Sequence, residues 1–182
     1  MQARDQRPAL ETMIKGGVLD VVYQTSANGL PFYVGVNEKK FKLLFMDIGL
    51  AKHAMHLDVQ TLLSEDLSLI NQGALAEQFV GQELLAYSDR YEDFQLFYWA
   101  REKTGSMAEV DYVINYGSQI IPIEVKAGKV GRLRSMRVFL EEKNLSVGVQ
   151  ISQKTLQFER GVLSVPFYMI FELPRLLSEI SM

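Results

Sequence analysis

Between Glu109 and Lys126 the chain alternates, turns and alternates again, and this segment constrains the fold more than any other. Glu109 to Tyr116 and Ile120 to Lys126 read as two strands of one hairpin. Gly117-Ser118 suits a two-residue turn with positive φ at its first position, which sets Tyr116 opposite Gln119. A four-residue loop centred on the same point gives the same pairing. Carried down the ladder, that register places Asp111 directly across from Glu124 on one face. Opposed side chains on paired strands stand about 5 Å apart, where like charges are destabilising. At an effective dielectric near 20 and a separation near 4 Å the repulsion is about 4 kcal/mol, a large share of a domain's stability. A divalent cation would remove that penalty. On the second strand Ile121, Ile123 and Val125 alternate with Pro122, Glu124 and Lys126, so the first three face a core and Lys126 projects beside Glu124. An ammonium there can position a water and stabilise charge developing on a phosphate. Paired carboxylates suit Mg²⁺ or Mn²⁺, which keep several waters and activate one as a nucleophile.

A helix is expected from about Gly73 to Tyr87, and it offers a third acid. At 100° per residue, the apolar arc contains Glu83 and carries Glu77 on its edge, so periodicity alone does not separate them. Around this unit, Leu96 to Ala100 and Val147 to Ile151 read as strands and Arg132 to Lys143 as a helix stopped at Asn144. The tail continues from Val162 to Phe171, broken at Pro166, and ends in a short amphipathic helix. The order is that of an α/β domain over 63–182. Ahead of it, 1–62 holds a helix from Pro8 stopped by Gly16-Gly17, a strand at Val18 to Tyr23, a turn at Asn28-Gly29 and a strand at Phe41 to Met46. A helix followed by a strand pair resembles the end of a winged helix.

With 182 residues, 48% apolar and 23% charged side chains and a net charge of −3, the composition is that of a folded domain with a core. The chain has no cysteine, which excludes disulfides, thiolate zinc sites and cysteine nucleophiles. No stretch is apolar enough to span a bilayer and no secretory signal opens the chain, so a cytoplasmic protein without a membrane partner is expected. His53 and His56 lack a further ligand and read as surface residues. Tyr98 and Trp99 read as core aromatics and the eight methionines as core filler.

An acid on a helix, Asp111, and then Glu124-Val-Lys126 at a strand end resemble the PD-(D/E)XK nuclease superfamily, the restriction-endonuclease-like fold. More closely, Gly73-Ala-Leu-Ala-Glu77-Gln-Phe-Val80, Phe97-Tyr98-Trp99, Glu109-Val-Asp111 and Ile121-Pro-Ile-Glu124-Val-Lys126-Ala-Gly128 resemble the C-terminal domain of uncharacterised function in archaeal-type AAA+ ATPases. Phe45-Met-Asp47-Ile-Gly49-Leu50 is similar to that family's segment after its winged helix. The resemblance implies a mixed sheet flanked by helices with a winged-helix remnant before it. It assigns the helical role to Glu77, as holder of a metal-bound water. Asp111 and Glu124 become ligands of Mg²⁺ or Mn²⁺, and Lys126 orients the nucleophile. Val110 stands where the superfamily has proline.

The run Lys126, Lys129, Arg132, Arg134 and Arg137 contains no acid and could follow a phosphate backbone; the bland reading is a solvated face balanced by Glu141 and Glu142. For the acids, the bland reading is a hairpin face on which Lys126 pairs with Glu109. No G-x-x-x-x-G-K-[ST] occurs, so the chain has no P-loop for ATP, and a fragment of a longer ATPase is expected. The expected function is a divalent-metal phosphodiesterase module acting on DNA. Its partners would be DNA and the ATPase domain of the same protein, with a homo-oligomer left open. The alternative is an inert nuclease-fold module that docks or holds DNA for the ATPase.

Overall fold

The computed structural model describes residues 3–56, 65–88, 94–101, 107–128 and 133–180. Its strands are β1 (Leu19–Thr25), β2 (Val36–Phe45), β3 (Phe97–Ala100), β4 (Glu109–Tyr116), β5 (Gln119–Val125), β6 (Gly148–Ser152), β7 (Gln157–Glu159) and β8 (Val162–Pro166). Its helices are α1 (Ala3–Lys15), α2 (Ile48–Ala54), α3 (Glu65–Ala86), α4 (Arg134–Lys143) and α5 (Leu173–Ile180). All eight strands form one mixed sheet in the order β2-β1-β3-β4-β5-β6-β8-β7.

Helices cover both faces. Val80 and Leu84 of α3 and Leu173, Leu176 and Leu177 of α5 pack on Tyr112, Ile114, Ile121, Ile123, Val125, Val149 and Ile151. On the other face Phe139 of α4 meets Trp99 edge-on with ring centroids 5.0 Å apart, among Phe97, Val110 and Val113. The alternation of Ile121, Ile123 and Val125 therefore does point to a core, and Tyr98 and Trp99 are buried as expected. The central hairpin also takes the register read from its turn, with Tyr116 opposite Gln119 and Gly117 at φ +58°. Stops at Gly17 (φ +68°) and Asn144 (φ +53°) are left-handed as anticipated.

The first part departs more. β1 pairs antiparallel with β2 and, through Tyr23↔Phe97 and Gln24↔Tyr98, parallel with β3. The strands on either side of residue 62 thus share one sheet, and a winged-helix remnant is not distinguished as a unit. Asn28-Gly29 does not make a tight hairpin. A single helical turn over Phe32–Gly35 intervenes, and Asn28 accepts a hydrogen bond from Lys143. Asp47 caps the unanticipated α2, accepting from the amides of Gly49 and Leu50 at 2.7 and 3.2 Å. Methionine is not uniformly core filler either, since Met136 is buried while Met13, Met46, Met55 and Met107 are exposed.

One side chain locks α3 to the sheet. Gln78, buried, donates to the carbonyl of Phe45 at 2.7 Å and accepts from its amide at 3.0 Å, completing the end of β2. Gln78→Ala leaves both backbone groups without a partner. It should lower stability by about 1–3 kcal/mol in urea unfolding, and Gln78→Glu should recover only part of that loss.

Candidate functional site

A β-bulge builds the site. Phe97 pairs with Val113 and Trp99 with Val110, so Asp111 and Tyr112 together stand opposite Tyr98 alone. The extra residue twists β4 and re-aims Asp111. The β4/β5 ladder accordingly ends at Tyr112↔Ile123, one step short of the expected Asp111–Glu124 pair. Past that point β5 keeps company with β6, through Glu124↔Gln150 and Val125↔Ile151. The Val125 amide donates instead to Asp111 Oδ2 at 2.7 Å, so the carboxylate caps the place where the two strands part.

Around that fork the structure gathers Glu77, Glu109, Asp111 and Glu124. Asp111 is 9% exposed and Glu124 4%. The Tyr112 hydroxyl donates to the carbonyl of Glu77 at 2.8 Å and ties this turn of α3 to the bulge. Lys126 Nζ donates to Glu124 Oε1 at 2.6 Å. Lys42, from β2, lies 2.5 Å from Glu109 Oε1, 3.6 Å from Glu77 Oε2 and 5.0 Å from the centre of the Tyr98 ring. Lys126 therefore bonds Glu124 while Glu109 takes Lys42, unlike the simple Lys126–Glu109 pairing. Of the two helical acids left open by periodicity, it is Glu77 that shares this charge cluster.

The electrostatics follow from burial. Desolvation pushes the carboxyls of Glu77, Asp111 and Glu124 above their ordinary range, and the charge of Asp111 adds to the rise at Glu77 and Glu124. Lys42 and Lys126 oppose the rise only in part. Burial alone would depress Lys42, yet Glu109, Glu77 and Asp111 hold it above the usual lysine value. Burial also raises the Tyr112 phenol, so it stays a neutral donor.

Four carboxylates face two ammonium groups, an excess of two negative charges when all are ionised. Glu124 Oε2 is buried without a hydrogen-bond partner. Among the described residues no three His, Asp or Glu side chains converge to hold a metal by themselves. Two carboxylates completed by water are what Mg²⁺ ordinarily takes from a protein, so the donors fit such an ion at Asp111 and Glu124. The expected nucleic-acid contacts are less complete. Arg134, the first residue of α4, is exposed, Lys129 and Arg132 lie outside the described residues, and Glu142 bonds Arg101 at 2.6 Å.

Residues 72–170, more than half of the chain, match a family described as a domain of unknown function, DUF4143. The chain belongs to this family. DUF4143 domains are typically associated with AAA-type ATPases. No curated protein and no solved structure matches the chain. Glu77, Glu109, Asp111, Glu124 and Lys126 all lie within the DUF4143 match, whereas Lys42 lies outside it.

Lys42 escaped sequence reasoning, although a signal existed. In the strand read from Phe41 to Met46, strict alternation puts Lys42 on the face of Leu44, which is buried. A lysine on the core face of a strand needs a carboxylate partner. No helix of the described residues is long and apolar enough to cross a membrane.

Proposed function

We propose that this DUF4143 chain is a divalent-metal-dependent phosphodiesterase module of the PD-(D/E)XK type, acting on DNA beside an ATPase. The observation that carries the reading is the pair of buried carboxylates at the fork, Asp111 and Glu124, with Glu124 Oε2 left unpartnered. Asp111 and Glu124 would hold Mg²⁺ or Mn²⁺, which when bound supplies Lewis-acid stabilisation of a phosphoryl oxygen.

The protein's own groups supply the rest. Lys126 keeps one N–H on Glu124, and its two other donors can hold an attacking water and meet charge on the phosphate. Glu77, with its carboxyl raised by burial and by Asp111, can accept a proton from that water when it is ionised. Val125 fixes Asp111 through its amide, so the ligand set does not have to be ordered when substrate arrives.

A second reading, an inert docking or DNA-holding module, draws on the same lysines, since Lys42 and Lys126 already pair with acids of the cluster. The test is incubation with linear, circular and single-stranded DNA plus Mg²⁺ or Mn²⁺. Cleavage that falls about a hundredfold or more in Lys126→Ala supports the enzyme. No cleavage by the parent, or cleavage undiminished in Lys126→Ala, supports the inert module.

A further inference from the structure

β6 is an interior strand, third from the β7 edge of the sheet, and its two faces differ. Val149 and Ile151 enter the core beneath α3 and α5, while Gln150 points to the α4 side. Gln150 has no exposed surface, and its Nε2 has no hydrogen-bond partner. A buried amide with an unused donor is uncommon, because an apolar side chain would fill the place at lower cost. Gln150 lines a cleft of about 490 Å³ between α4 and the β6-β8-β7 edge. Lys154 stands in the same cleft, its Nζ donating to Gln150 Oε1 at 3.2 Å, and that bond leaves the amide's N–H groups unpaired at the cleft wall. The buried Ser164 and the cationic residues Arg137 and Arg160 also line it, together with Glu141 and with Glu159, which lies 3.5 Å from Arg160 Nε.

The cleft is also in line with the charge cluster. Glu124 is the register partner of Gln150, and Gln150 of Ser164, so these polar side chains form a row across adjacent strands on one face. Neighbouring strands lie about 5 Å apart, so the donors begin one step sideways from Glu124.

We infer that this cleft is an anion subsite that binds a backbone phosphate of the nucleic-acid strand whose neighbouring phosphodiester lies at Asp111 and Glu124. Several donors converging from different elements suit a tetrahedral group with charge spread over its oxygens. The inference rests on the nuclease reading for the identity of the strand but not for the existence of the subsite.

The experiment is fluorescence anisotropy with a fluorescein-labelled single-stranded 12-nucleotide DNA in EDTA, across a salt series, alongside Mn²⁺ titration. Lys154→Ala should weaken binding about tenfold at low salt and reduce the slope of log affinity on log salt by about 0.7, the value for one phosphate contact on a single strand. Gln150→Met should weaken it several-fold, and both variants should take Mn²⁺ as the parent does. Should Gln150→Met fail to fold by circular dichroism, Lys154→Ala decides alone. Parental affinity and salt slope in Lys154→Ala, or no oligonucleotide binding by the parent, overturns the subsite. Inorganic phosphate bound in a Lys154-dependent way without oligonucleotide binding would assign the cleft to a small anion and overturn the strand. Lys154-dependent DNA binding in a protein that takes no Mn²⁺ keeps the subsite and removes the metal reading.

Discussion

The Asp111→Asn variant should bind no Mn²⁺ by calorimetry and cut DNA about a thousandfold more slowly than the parent, yet melt at a higher temperature than the parent when metal is absent. The three effects have one cause. Asp111 is buried, its carboxyl is pushed upward chiefly by desolvation, and it repels Glu77 and Glu124. The amide keeps the shape and an acceptor for the Val125 N–H at the fork, while removing the charge. What remains loses a ligand and much of the electrostatic stabilisation of the reacting phosphate, an effect on the order of 10²–10³ for a single preorganised group and larger where a metal leaves with it. The rise in metal-free stability is the usual exchange between a strained site and a relaxed one. In the parent, Mn²⁺ at a hundred times its Kd should add about 2.7 kcal/mol, or roughly 5–10 °C in Tm for a chain of this size. Asp111→Asn should show none of that shift in differential scanning fluorimetry.

Lys42→Met carries the second large effect, on stability rather than chemistry. Lys42 is the counter-charge of Glu109, Glu77 and Asp111, and its side chain is 29% exposed. Removing one partner of a fully buried pair costs about 3–5 kcal/mol; with Lys42 partly exposed, about 2–3 kcal/mol is expected at pH 8. The loss depends on pH in a definite sense. The folded-state pKa values of Glu77, Asp111 and Glu124 are raised above their unfolded values. Their favourable contribution is therefore complete below the ordinary carboxylate range and disappears as pH rises through the folded values. Without Lys42 these groups take up protons more readily, so urea unfolding should show the variant's deficit shrinking between pH 8 and pH 5. Equal deficits at both pH values would mean that Lys42 matters for packing alone. Metal binding requires the ionised carboxylates, so the stabilisation by Mn²⁺ should grow with pH over the window in which metal-free stability falls.

The hairpin was legible because its information is local. Gly117-Ser118 sets the turn, and alternation from Ile121 to Val125 sets which face is buried. Helix stops at Gly17 and Asn144 were legible for the same reason, as single residues tolerant of a left-handed backbone. The bulge at Asp111 and Tyr112 was not, because it exists only relative to β3, which adds a short strand from a separate part of the chain. Lys42 was missed on similar grounds, since its acids come from β4 and α3 and meet it only once β1 has paired parallel with β3. β7 is three exposed residues paired with β8 across the two-residue turn Arg160-Gly161, both at positive φ, and with no apolar alternation of its own it did not stand out as a strand. Glu77, Asp111, Glu124 and Lys126, named from spacing and resemblance, do gather around one fork, while Lys42 and the buried Gln150 needed the sheet order.

On the proposed function, one divalent ion binds between Asp111 and Glu124. The most direct measurement is anomalous diffraction from crystals of the protein soaked in Mn²⁺. A single strong peak is expected about 2.1 Å from a carboxylate oxygen of Asp111 and from Glu124 Oε2, absent in Asp111→Asn crystals. Clear electron density for the protein with no anomalous peak at those oxygens, and Lys126 still bonded to Glu124, would contradict it.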